Sequence, residues 1–132
     1  TSDIGSSRLN ISCSNTLNQA STRADGLEYH TGLHRLDLES VNAYKILEAD
    51  NYTADTACML FIKNLSTTST EYLIVGDAVD GTPSITAAGT IGNLYSGQFM
   101  IIPWNPVSSG KDFYVEQSVA NMDWEFILFH ED

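Results

Sequence analysis

Polar and apolar residues alternate along much of this chain with a period of two, in short runs separated by turn-forming clusters. Arg8-Leu9-Asn10-Ile11-Ser12-Cys13 alternates strictly, which places Leu9, Ile11 and Cys13 on one face of a half-buried strand. Residues 14–26 are polar, with Asn15, Asn18 and Asp25-Gly26, and read as a long loop or an arm ordered against a neighbour. Alternation returns at 33–38, where Leu36 and Leu38 oppose Arg35 and Asp37. Residues 40–48 are ambiguous: Val41, Tyr44 and Leu47 have helical spacing, whereas Tyr44, Ile46 and Glu48 suit a strand. A strand is preferred, because its neighbours are strands and Asn42 is a poor interior helix residue. After the turn cluster Asp50-Asn51-Tyr52-Thr53-Ala54-Asp55, the run Cys58-Met59-Leu60-Phe61-Ile62 is almost continuously apolar. That is the pattern of a central strand covered on both faces. Ser66-Thr67-Thr68-Ser69-Thr70 then leads to Glu71-Tyr72-Leu73-Ile74-Val75, and these two strands are expected to pair as a hairpin with a longer loop.

Residues 76–92, rich in Gly, Asp, Thr and Ala, read as an excursion over the surface. Asn93-Leu94-Tyr95-Ser96-Gly97 turns the chain into its last third. There Gln98-Phe99-Met100-Ile101-Ile102, Asp112-Phe113-Tyr114-Val115-Glu116 and Trp124-Glu125-Phe126-Ile127-Leu128-Phe129 predict three strands. They are rich in aromatic and β-branched residues and bounded by Pro103-Trp104-Asn105-Pro106, Ser108-Ser109-Gly110 and residues 118–123. The expectation is an all-β chain: an antiparallel β-sandwich or flattened barrel with an irregular N-terminal arm. Residues 1–26 form the N-terminal strand and polar arm of the same unit, and 27–132 form the sandwich domain. With 132 residues and a hydrophobic fraction of 42%, one such domain buries a core without staples.

Charge narrows the function classes. Seventeen Asp and Glu against six Lys and Arg give a net of −11, a field that repels phosphate backbones, and no basic stripe interrupts it. Nucleic-acid binding is therefore not expected. No apolar stretch approaches the roughly 20 residues of a membrane helix, so no membrane partner is expected either. Residues 1–8 lack the apolar centre of a signal peptide, and Thr1 suits a first residue left by removal of an initiator Met, which points to synthesis in the cytoplasm. In that compartment Cys13 and Cys58, both in strand-like runs, are expected as buried thiols and not as a disulfide.

Candidate chemistry is sparse. His30 and His34 are four apart, but Gly32 and the flanking alternation argue against the helix that would align them, and a metal needs more ligands. Asp77-Ala78-Val79-Asp80-Gly81 lacks the alternating acids and closing Glu of an EF-hand loop, and an Asp-Gly turn explains it. No nucleophile elbow, phosphate loop or dinucleotide fingerprint occurs, so no enzyme, cofactor or metal site is expected. Asn10, Asn51 and Asn64 match the glycosylation acceptor pattern without a secretory context. Trp124 alternates with Phe126 and Leu128 and is expected in the core. Trp104, between Pro103 and Pro106, is expected as a core corner or a subunit contact. A carbohydrate-binding module would use Trp104, Tyr95 and Tyr114 as its platform.

The order of two segments carries a resemblance. Phe61-Ile62-Lys63-Asn64-Leu65-Ser66 followed by Glu71-Tyr72-Leu73-Ile74-Val75, and Ile91-Gly92-Asn93-Leu94-Tyr95-Ser96-Gly97 leading to Phe99-Met100-Ile101-Ile102-Pro103-Trp104, resemble small structural proteins of tailed bacteriophages, marine phages especially. The resemblance covers about residues 43–130. It implies a non-enzymatic virion protein, foremost a capsid decoration or cement protein made in the host cytoplasm and carried on the capsid surface. A tail, neck or fibre-associated protein is the nearest alternative. Its implied partners are the major capsid protein or other virion proteins and further copies of itself, with a trimer possible. Trp104, Tyr95 and Asn105 are the candidate contact residues, with Leu17 and Tyr29 on the N-terminal side; the arm 1–26 and the excursion 76–92 are the candidate contact segments.

Overall fold

The computed structural model describes residues 12, 14, 27, 29–77, 84–86, 88–107 and 112–131. Within them lie nine strands: β1 (Tyr29–His30), β2 (His34–Asp37), β3 (Tyr44–Leu47), β4 (Cys58–Asn64), β5 (Tyr72–Asp77), β6 (Thr90–Tyr95), β7 (Phe99–Pro103), β8 (Phe113–Gln117) and β9 (Asp123–His130). A single 3₁₀ turn (Ala49–Asn51) is the helical element among the described residues. The strands form two antiparallel sheets, ordered β1-β9-β4-β7 with β2 also on β9, and β3-β8-β5-β6. The sheets pack face to face as a β-sandwich, and the described strands do not close into a barrel. The expected N-terminal strand and arm (Leu9, Ile11, Cys13) lie outside the described residues, as do residues 78–83 after Asp77 and the turn Ser108-Ser109-Gly110.

The core is built by the period-two pattern. Leu60 and Ile62 of β4 and Trp124, Phe126 and Leu128 of β9 face Leu73 and Val75 of β5 and Phe113 and Val115 of β8. Burying each such side chain contributes about 1.5–3 kcal/mol. Trp124 is fully buried, as its alternation predicts. β3 is a strand, and a register shift between Lys45 and Leu47 explains its ambiguous spacing. A bulge puts the extra residue into the strand and breaks the period locally.

Three expectations are corrected. Residues 90–95, divided above between a surface excursion and a turn, are strand β6, paired with β5. β4 and β5 do not pair: they lie in different sheets, and residues 65–71 cross the end of the sandwich. Asn64 directs that crossing. Its buried amide donates to the Leu94 carbonyl at 3.0 Å and the Glu71 carbonyl at 3.4 Å, while its oxygen accepts the Ser66 N–H at 2.9 Å. The same burial leaves no room for a glycan on Asn64. Nor is β4 covered on both faces. Cys58, Leu60, Ile62 and Asn64 are buried, whereas Met59, Phe61 and Lys63 are only half-buried on the outer face.

Gln117 joins the sheets from inside. Its side-chain oxygen accepts the Trp124 indole N–H at 2.8 Å and the Leu38 N–H at 3.3 Å. Its Nε2 donates to the carbonyls of Leu38 at 2.8 Å and Ser40 at 3.2 Å. Elsewhere, backbones meet closely: a Cβ on Gly76 would collide with the Gly89 carbonyl, and one on Gly89 with the Asp77 carbonyl. Replacing Gln117 by Leu keeps the volume but strands the Trp124 and Leu38 donors. Each stranded buried group costs about 1–3 kcal/mol. Urea unfolding of Gln117→Leu is expected to show a loss of roughly 2–4 kcal/mol by the same principle; an unchanged midpoint would remove this network from the fold's foundations.

Candidate functional site

Aromatic side chains gather at one end of the sandwich. Trp104 follows β7, where its N–H donates to the Cys58 carbonyl at 3.1 Å, and it is only 9% exposed, a corner of the core. Tyr52 meets Trp104 edge-on at 5.5 Å and His130 edge-on at 5.1 Å, and His130 stacks on Tyr29 at 5.7 Å. Asn105 is occupied as a clamp: it donates to the Asp55 carboxylate at 2.9 Å and accepts the Asp55 N–H at 3.1 Å. That clamp holds Asp55 at φ +63°, a backbone conformation unusual outside glycine.

The sequence-derived contact residues therefore divide. Trp104, Asn105 and Tyr29 share this end through Tyr52 and His130. Tyr95 lies at the opposite end, on the outer face of the β3-β8-β5-β6 sheet against Tyr72. Leu17 lies outside the described residues. Tyr114 is buried: Ile85 from the excursion packs on it, anchored by its N–H to the Glu116 carboxylate at 2.8 Å. Trp104, Tyr95 and Tyr114 do not form one exposed platform.

The outer face of β7-β4-β9 has no such cover among the described residues. The strand register sets its side chains in rows. One row is Ile101-Phe61-Ile127, the next is Pro103-Met59-Phe129, and on the other side lies Phe99-Lys63-Glu125, extended by Arg35 of β2. Phe99 is 61% and Ile101 58% exposed, while Met59, Phe61, Ile127 and Phe129 are half-buried by one another. Phe61 and Phe99 are 6.1 Å apart between ring centroids. Single exposed apolar residues are ordinary, but contiguous rows across three strands make this face the candidate interaction surface. These residues escaped sequence reasoning because the apolar run at 58–62 was assigned two covered faces. The available signal was the pairing of that run with two further strands apolar on both sides.

β7 is also the edge of this sheet among the described strands. The bonds from Trp104 N–H to Cys58 and from Asn64 N–H to the Gln98 carbonyl fix the pleat, so that Phe99 and Ile101 turn their backbone groups away from β4. Pro103 shares their phase, where its missing N–H costs the ladder nothing and blunts the edge.

Ionisable groups here serve structure. His30 accepts the Gly32 N–H at 3.0 Å, and His34 stacks on Phe126 at 5.0 Å. Among the described residues no group of His, Cys, Asp or Glu could hold a metal ion. A cleft of about 400 Å³ beside Trp104 has Asp77 and Asp112 in its wall. Asp112 is engaged there by Lys45 at 2.8 Å and the Ala49 N–H at 2.8 Å.

Burial pushes the Cys58 thiol upward, opposed by a hydrogen bond from Thr56 and reinforced by Glu131. Burial and the neighbouring Cys58 raise Tyr52 as well. The folded state thus keeps a proton that the unfolded chain releases near pH 9.0. The stability contributed by the protonated thiol is complete below that pH and falls as pH rises through the folded value. In a Cys13→Ser background, unfolding free energy is expected to decline above pH 9, and Cys58→Ala to flatten the first part of the decline. Equal slopes in the two proteins would sink the assignment.

Searches against family models, curated proteins and solved structures find no match to this chain.

Proposed function

We propose that this chain is a non-enzymatic structural protein of a bacteriophage virion, a decoration or cement protein that stabilises the capsid through contacts between subunits. The observation that carries the reading is the apolar face of β7-β4-β9, uncovered among the described residues, on a subunit of net charge −11. A protein that only had to stay dissolved would gain by making that face polar. The resemblance of residues 43–130 to small phage structural proteins supplies the particle. Modest contacts suffice on a capsid, because symmetry repeats each one and the acidic remainder keeps particles apart. The separation of Trp104, Tyr95 and Tyr114 disfavours the carbohydrate-binding alternative.

The test is stoichiometry on purified particles of the phage that encodes the chain. Quantitative mass spectrometry is expected to count hundreds of copies per particle; a dozen or fewer would move the protein to the tail or neck, and none would end the virion reading. Phe99→Ser with Ile101→Thr is expected to cut incorporation at least tenfold with the thermal midpoint preserved, since both side chains are exposed and Thr suits a strand.

A further inference from the structure

We infer that the β7-β4-β9 face binds a second copy of this chain, face to face, about a two-fold axis parallel to the strands and lying between β4 and β9. This rests on the reading of that face as a contact surface and adds its occupant, a two-fold partner where the resemblance leaves a trimer open.

The register carries the argument. Rotation about that axis reverses every row and lays it over itself. Phe99-Lys63-Glu125-Arg35 then meets its own reverse. Lys63 lies over Glu125 of the second copy, Glu125 over its Lys63, and each Phe99 over an Arg35, a cation–π pair. In the next row Phe61 lies over Ile127, and in the one after it Met59 over Phe129. Facing sheets pack about 10 Å apart, within reach of a Lys and a Glu extended toward each other. Within one chain Lys63 has no ion-pair partner among the described residues, because Glu125 turns to Arg35 at 3.4 Å. The second copy supplies that carboxylate.

Other two-fold arrangements place the charges badly. An axis along β4 sets Lys63 on Lys63, and one along β9 sets Glu125 on Glu125. An axis across the strands at Phe61 sets Lys63 on Met59, burying charge without a partner. The chosen axis leaves Asp37 and Asp123 at the rim, away from their own symmetry mates. An isologous interface needs such self-complementarity. In a chain with 17 acids and six bases, the row that carries Lys63 and Arg35 around Glu125, with Asp37 and Asp123 set off at the rim, is where a like-charged copy can approach.

Sedimentation equilibrium with charge reversal tests this. The unaltered chain is expected at twice its 14.5 kDa mass. Lys63→Glu alone sets Glu on Glu, and Glu125→Lys alone sets Lys on Lys, so each is expected to self-associate at least tenfold more weakly. Mixed one to one, the two variants regain both ion pairs and are expected to form a heterodimer, which also shows that each has folded. A monomeric unaltered chain, unaffected single variants, or a mixture that stays monomeric would each overturn the inference. The function stands apart from this result: a monomer still counted in hundreds on particles leaves the decoration reading intact, and a dimer absent from particles defeats that reading alone.

Discussion

The hydrogen bond from the Trp124 indole to Gln117, 2.8 Å long and wholly buried, is the constraint on which the two sheets depend. Apolar side chains hold β8 and β9 together across the core but tolerate sliding. A buried amide does not, because each of its atoms must keep a partner or lose more than the contact is worth. Gln117 fixes Trp124 from one side and the Leu38 and Ser40 backbone from the other. That single side chain thereby sets the crossing from β2 to β3 and the height of β9 against β8. Asn64 does comparable work at the end of β4, where Ser66 also bonds the Glu71 carboxylate.

Once β9 is fixed, the register of its neighbours follows, and with it the composition of the outer face. Each sheet has an outer face to dispose of. The β3-β8-β5-β6 sheet covers the centre of its own with Ile85 on Tyr114, tied down by Glu116. The β7-β4-β9 sheet presents Phe61, Phe99, Ile101 and Ile127 with no described residue over them. The two sheets thus differ at the centre of their outer faces, and only one centre is covered by the chain's described residues, although Ile91 and Tyr95 stay exposed at the β6 side of that sheet.

Local patterning made most of the strands legible, but not β6, whose residues read as an excursion and a turn. Trp124, Phe126 and Leu128 alternate cleanly because the facing sheet covers one side, and that same alternation identified the all-β class. Where two residues oppose one, at Lys45 to Leu47, the period fails and a helix looks as plausible as a strand. The partner of each strand was less legible. Whether β4 pairs with β5 depends on Asn64 reaching Leu94, a residue 30 positions away, and no local spacing encodes that contact. Trp104 was visible as notable, but its buried place against Tyr52 follows only from the end-to-end meeting of β7 and β4. The apolar face was hidden for a related reason. A continuous apolar run reads the same whether its second side meets another layer of the same chain or a separate molecule.

That equivalence bears on how a small acidic chain comes to have such a face at all. Folding requires one apolar side per strand; the second side of β4 adds nothing to the sandwich core and exposes Phe61 to water. Its retention beside Lys63, Glu125 and Arg35 gives the surface polarity in one row and apolar contact in the next. A uniformly apolar sheet would stick to any other, whereas the charged row admits one register and penalises its neighbours. Pro103 acts in the same sense at the edge by removing a donor that an added strand would seek. In the inferred two-fold pair, association would thereby be directed to the face and away from open-ended growth along the sheet.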